Sequence, residues 1–242
     1  MRKSILSAGL FIVVLYLSSC VGRVMKGEGN VGTVTAKVTS FNAVQVELPL
    51  KVVINVQKGA PVSVKFKGYT NFLLHIKTKV ENNMLFISSD MEDRMAMDSK
   101  QVTAEITIPQ LTELYISSTA DADIHGTVTN KSFKTEVTGK SAITIDDINT
   151  DDFSYTASGG ANLEVKGGKT RIATFSIDEG CNVMAFPLEA KESSVTIKGA
   201  GKCQVTALKK LNTNVAATGD VKYKGHPAIL KNPEGGTIND AN

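Results

Sequence analysis

Leu114-Tyr115-Ile116, Thr135-Glu136-Val137, Tyr155-Thr156-Ala157, Phe175-Ser176-Ile177, Val195-Thr196-Ile197 and Thr213-Asn214-Val215 are six versions of one short stretch, recurring at close to 20-residue intervals within residues 112–223. The first and third positions form two largely apolar columns on either side of an alternating partner, the period of a half-buried strand. After a small-residue corner comes a further column, Ala122, Ile143, Leu163, Val183, Cys203 and Val221, spaced 21, 20, 20, 20 and 18 residues apart. Val128, Ile148, Gly168, Leu188 and Leu208 make another, strictly periodic one. One such unit cannot bury its inward face alone, but copies stacked at a strand spacing of about 4.8 Å bury a continuous core.

The period decides the architecture. Repeats of about 20 residues with strand alternation indicate a solenoid, whereas a propeller blade needs about 40 or more. Helical repeats fail because no segment keeps apolar residues at i, i+3, i+4 and i+7. The expectation is an all-β, single-stranded parallel β-helix with three short strands per turn, right-handed by preference. Its corners read Ser118-Thr119-Ala120, Gly139-Lys140-Ser141, Gly159-Gly160-Ala161, Glu179-Gly180-Cys181 and Ala200-Gly201-Lys202. Small residues and glycine belong where a chain bends sharply and φ becomes positive.

Outside the repeat, the chain opens with Arg2 and Lys3 before an apolar run over residues 4–19, too short to span a bilayer but long enough for a signal-peptide core. The run ends Leu17-Ser18-Ser19-Cys20, which resembles the bacterial lipobox. Residues 1–19 therefore read as a lipoprotein signal peptide and Cys20 as the lipidated N-terminus, with the membrane a partner through that lipid. A plain secretory signal with an incidental cysteine is the competing reading. Val21 in place of an Asp after the cysteine tilts the expected location to the outer membrane. Residues 20–40, rich in Gly, Val and Thr, read as a flexible tether. Residues 41–111 alternate in short runs (Val44-Val46-Leu48, Val52-Ile54-Val56, Val62-Val64-Phe66, Leu74-Ile76, Leu85-Ile87, Val102-Ile106-Ile108) between turn signals. They make either irregular first turns or a cap, with Met91–Met97 a loop or one helical turn. Residues 224–242, with Pro227 and Pro233, read as a C-terminal cap that seals the last turn.

Phe41-Asn42-Ala43-Val44, Val52-Val53-Ile54-Asn55-Val56, the Gly59 turn, Tyr69-Thr70-Asn71-Phe72-Leu73, Leu85-Phe86-Ile87, the Ser158–Ala161 corner and Tyr223-Lys224-Gly225-His226-Pro227 together resemble a bacterial family. It is the putative auto-transporter adhesin, head GIN domain family, and the resemblance spans roughly residues 41–238. It implies a secreted or lipid-anchored envelope protein, largely β-helical, and supplies no activity and no catalytic residues.

Composition narrows the functional classes. Without residues 1–19 the chain keeps 25 basic against 24 acidic residues, and no Lys/Arg cluster is interleaved with aromatics, so nucleic-acid binding has no support. Enzymes that cleave or eliminate acidic polysaccharides on β-helices use clustered Asp with a basic residue. The available acids are Asp121, Asp123, Asp146, Asp147, Asp151, Asp152, Asp178 and Glu179, with Arg94 and Arg171 the only arginines beyond residue 40. Acids at turns and edges are the expected solvated residues there, and no Asp column persists through the turns with an arginine placed opposite it. His75, His125 and His226 sit in unrelated segments, and their spacing suggests neither a metal site nor a dyad. Cys181 and Cys203 fall two residues out of register on adjacent turns, roughly 8 Å apart, beyond the ~7 Å that a disulfide tolerates. Both are expected to be buried free thiols. Trp is absent and aromatics make up only 6%, so strong glycan binding is not signalled; Tyr69, Phe72 and Tyr223 are the few aromatics expected to be partly exposed. The expectation is an exported, non-enzymatic binding or adhesin-like protein with no cofactor or metal and with a glycan or protein ligand. A polysaccharide lyase or hydrolase on the same scaffold, or a structural envelope component, is the alternative.

Overall fold

The computed structural model describes residues 23–91, 95–97, 101–178, 180–216 and 218–242. The signal segment and Cys20 lie outside the described residues, as do Arg94 and Glu179. The repeat folds as its period requires. β10 (Glu113–Ile116), β11 (Asp121–Thr138), β12 (Ala142–Ser158), β13 (Asn162–Val165), β14 (Gly168–Asp178), β15 (Asn182–Lys198), β16 (Lys202–Ala216) and β17 (Asp220–Lys224) wind into a parallel β-solenoid. Ile116 pairs with Val137, Val137 with Ala157, Ala157 with Ile177, Ile177 with Ile197 and Ile197 with Val215. The column from Ala122 to Val221 is equally unbroken.

The inward columns are what hold the stack. Ile145, Leu163, Val165 and Ile177 are fully buried, and Phe133 stacks on Phe153 at 5.7 Å, which meets Phe175 edge-on at 5.9 Å. Each fully buried aliphatic or aromatic side chain contributes roughly 1.5–3 kcal/mol relative to exposure, and identical depth in successive turns makes the contribution additive along the axis. At the corners the backbone comes too close for a side chain. A Cβ on Gly139, where φ is 133°, would stand 2.3 Å from the Ser118 carbonyl oxygen one turn away.

The third periodic column holds through Val128, Ile148, Gly168 and Leu188 but not at Leu208. Cys203 and Val215 are twelve residues apart where Val183 and Ile197 are fourteen apart. The shorter turn shifts register, so Ala207 faces inward and Leu208 is 47% exposed.

Both ends differ from expectation. At the foot, β3 (Ala43–Val46) and β4 (Lys51–Val56) form a turn parallel to β10 and β11, and β7 (Met84–Ser89) and β9 (Thr103–Ile108) form another beneath them. Residues 41–111 thus extend the solenoid and also close it. β5 (Ser63–Tyr69) and β6 (Ile76–Glu81) run antiparallel to β9 and β7, ending the two walls, and α1 (Thr70–Leu73) buries Phe72 completely at the base. The stretch expected as a tether contains β1 (Arg23–Met25), paired with β8 (Met95–Met97), and β2 (Val31–Thr35), antiparallel to β5. β8 likewise falls where a loop was expected, and Leu74 leaves α1 exposed instead of starting a strand. At the other end β18 (Ala228–Glu234) and β19 (Thr237–Asp240) add one more parallel turn on β16 and β17. Pro233 stands opposite Val215 in that last turn, where an edge strand tolerates the missing N–H.

Candidate functional site: the outer walls of the stack

The acidic residues do not converge. Asp121 accepts a hydrogen bond from the Ala142 N–H at 3.0 Å, Asp123 pairs with Lys51 at 3.1 Å, and Asp152 takes the Arg171 guanidinium at 2.7 Å. Asp146 lies between the neighbouring turns, taking a hydrogen bond from His125 Nδ1 at 2.9 Å and one from Lys166 Nζ at 3.1 Å. The His125 contact, reinforced by Lys166, holds its carboxyl below the ordinary range. Asp123, Asp146 and Asp152 thus each pair with a basic group from a neighbouring turn, and Asp121 with a backbone N–H. His75 is similarly engaged with Asp90, whose carboxyl is lowered first by Lys77 and then by His75. No group of three or more His, Cys, Asp or Glu side chains able to hold a metal occurs among the described residues.

Cys181 and Cys203 are buried free thiols. Cys203 pairs with Val183, while the Cys181 carbonyl accepts from Lys202 N–H, so the two are out of register as the columns require. Burial pushes the Cys203 thiol up, away from the thiolate that nucleophilic chemistry needs.

The wall on the opposite side of the Leu114–Thr213 column is of another kind. Its outward positions stack as Lys134, Ser154, Thr174, Ser194, Asn212 and as Glu136, Thr156, Ser176, Thr196, Asn214. Over four successive turns every one of these positions is a hydroxyl or a carboxamide, and none is charged. Side chains within a turn are two residues apart and turns repeat at about 4.8 Å, so the wall is a regular grid of donors and acceptors. A shallow depression of about 290 Å³ lies at its upper end, lined by Ser194, Thr196, Asn212, Asn214 and Leu230. The Asn214 Oδ1 there has no hydrogen-bond partner among the described residues. At its foot Lys134 Nζ lies 5.3 Å from the centre of the Tyr115 ring, and Tyr115 donates to Glu113 at 2.5 Å. Tyr69 and Tyr223 are half-buried, and Phe72 is buried, so the aromatics singled out from the sequence build no sugar-stacking platform. The rung period applied to polar residues is the signal that finds this wall.

The family model for "putative auto-transporter adhesin, head GIN domain" matches residues 40–227. The chain belongs to this family. Solved structures of similar chains carry the same fold: a putative adhesin from Bacteroides fragilis NCTC 9343 superposes with a TM-score of 0.79 at 22% identity, covering 90% of this chain and 100% of that one. A putative adhesin from Parabacteroides merdae ATCC 43184 gives 0.72 at 17% identity, covering 91% and 100%. A chain from Parabacteroides distasonis ATCC 8503 described as a putative lipid binding protein gives 0.73 at 17% identity, again covering 91% and 100%. No curated protein matches the sequence. At these identities the likeness concerns the fold of the head GIN chain. No helix among its described residues is long and apolar enough to cross a membrane.

Proposed function

We propose that this head GIN chain is a lipid-anchored envelope protein with a non-catalytic, adhesin-like binding role, and that its uncharged hydroxyl and carboxamide wall is the contact surface. The wall carries the reading. Four turns of Ser, Thr and Asn in register offer repeated hydrogen bonds without the charge that would select phosphate or uronate. That chemistry suits a neutral, polyhydroxylated polymer such as a glycan lying along the axis. Individual contacts are weak, so affinity would come from their number. The membership of an adhesin-named family supports an envelope location, and the Leu17–Cys20 motif supports the lipid anchor.

The test is a glycan and matrix-protein array read for binding, with the same samples followed for release of reducing or unsaturated sugar ends. Saturable binding without product, lost in Thr156→Arg/Thr196→Arg while the melting temperature holds, is the expected result. Product formation would replace the binding role with a lyase or hydrolase; binding indifferent to both arginines would remove the wall. For the anchor, Cys20→Ala should abolish processing and acylation at that position. Normal processing of the variant would refute lipidation at Cys20.

A further inference from the structure

The foot of the solenoid combines exposed apolar side chains with unpaired cations. Seven large apolar residues are exposed among those described, and four of them, Val24, Val31, Val34 and Leu74, belong to the elements of the base. Leu74 is 74% exposed directly after the helical turn that buries Phe72, so the plug that closes the core also projects a leucine outward. Met184, Leu208 and Leu230 are scattered along the upper turns. Charge divides the same way. Residues 23–111, which include the foot, carry eleven Lys and Arg against eight Asp and Glu, whereas residues 112–242 carry fourteen against sixteen. Within the base, Lys77 pairs with Asp90, Lys79 pairs with Glu81, and Glu105 stands opposite Lys65. Lys26, Lys37 and Lys67 are exposed and have no carboxylate partner among the described residues.

We propose that the base of the solenoid, through Val31, Leu74, Lys26, Lys37 and Lys67, is a docking surface for an anionic phospholipid bilayer. Separate apolar side chains suit insertion at the headgroup boundary, and lysines on flexible stems reach the phosphates around them. A protein partner would call for a contiguous apolar patch in place of single residues among cations. The segment after β1 is tied to this end, the Lys26 carbonyl accepting from the Asn71 side-chain amide of α1 at 2.8 Å and the Glu28 N–H donating to the Asn71 side-chain oxygen at 3.0 Å. The surface stands on its own chemistry and does not rest on the lipid at Cys20 or on the ligand of the wall.

A chain begun at Val21 separates these questions. It keeps every pairing described, and the solved relatives align over their full length with nine-tenths of this chain. Sedimentation with vesicles of phosphatidylcholine alone and with 30% phosphatidylglycerol, at low and high salt, is the experiment (composition about as stated, for an anionic surface). Salt-sensitive binding to the anionic vesicles alone is expected. Each unpaired lysine near the surface should be worth about fivefold in partitioning. Lys26→Glu/Lys67→Glu should therefore weaken binding by at least about 25-fold, and Leu74→Asp should weaken it too. Lys202→Glu/Lys222→Glu, on the upper turns, should leave it within about twofold of the parent. Absence of binding to anionic vesicles, or equal losses from the base and upper pairs, would overturn the proposal. So would a concentration-dependent doubling of mass abolished by Leu74→Asp, which would give the base to a second copy of the chain.

Discussion

Tyr155→Phe should make this protein more stable. Tyr155 is fully buried in the inward column between Thr135 and Phe175, and its hydroxyl has no hydrogen-bond partner among the described residues. Burial, with the nearby Cys181 and Cys203 thiols, drives the phenol pKa upward, as a hydroxyl in apolar surroundings demands. An unsatisfied buried polar group costs about 1–3 kcal/mol, which phenylalanine removes while keeping the ring. The space of one oxygen atom is then left empty, costing a few tenths of a kcal/mol at about 24 cal/mol per Å³. The net expectation is about 1 kcal/mol of stabilisation, or about 2–4 °C in Tm for a body of this size. Urea unfolding measures it: the midpoint should rise with the slope unchanged. A loss of 1 kcal/mol or more would mean the hydroxyl is satisfied in solution and the inward column is wetter than its packing implies. Thr135, an unpartnered hydroxyl in the same column, gives a second reading through Thr135→Val, which should move the same way.

Three further substitutions probe other parts of the argument. Gly168→Ala should destabilise by about 2 kcal/mol or more, because a Cβ there, at a φ of 123°, would lie 2.1 Å from the Ile148 carbonyl oxygen; an unchanged urea midpoint would contradict the close approach. Asp146→Asn tests the pair between turns. The folded carboxyl pKa is depressed, so its stabilisation is complete above the unfolded value near 4 and fades as pH falls through the folded one. With the Asp146 side chain 35% exposed the effect should stay below about 1 kcal/mol, and parent and variant midpoints should differ near neutrality and converge in acid. Ile177→Asp should unfold the stack, since Ile177 is fully buried between Ala157 and Ile197 and an unpaired buried charge costs several kcal/mol; circular dichroism at 25 °C retaining the parent spectrum would refute the alignment.

The regular turns were legible because each residue's partners lie about twenty positions away and face the same environment. Leu114 to Thr213 form such a column. Leu208 was misplaced for a local reason: its turn is two residues shorter, and strict periodicity cannot register a deletion compensated by a bulge. The foot was illegible because its pairings are not periodic. Val44 sits between Leu85 and Leu114, 41 and 70 residues away, and the first partner belongs to a turn made later in the chain. β2 was hidden differently. Paired on one side only and almost wholly exposed, it needs no apolar alternation, and its Gly and Thr content resembles a linker. Among the candidate site residues, Asp146 is legible as an acid, and residues 125, 146 and 166 keep the rung spacing, but only the fold shows the bond to His125. The Ser/Thr/Asn wall shares the period of the apolar columns, but its residues carry no hydropathy signal to mark it.

The turn made by β3 and β4 is clamped from both sides, by β7 and β9 below and by β10 and β11 above, so nothing can be inserted there without breaking two sets of pairings at once. The last turn is bound on one side only. The architecture therefore has a fixed heel and a free tip. Duplicating a twenty-residue unit near the tip would lengthen the molecule by one strand spacing, about 4.8 Å, without disturbing the heel. Reach away from whatever holds the heel is thus a quantity that evolution can adjust in uniform steps, one duplication at a time, and the wall of hydroxyls lengthens in the same step.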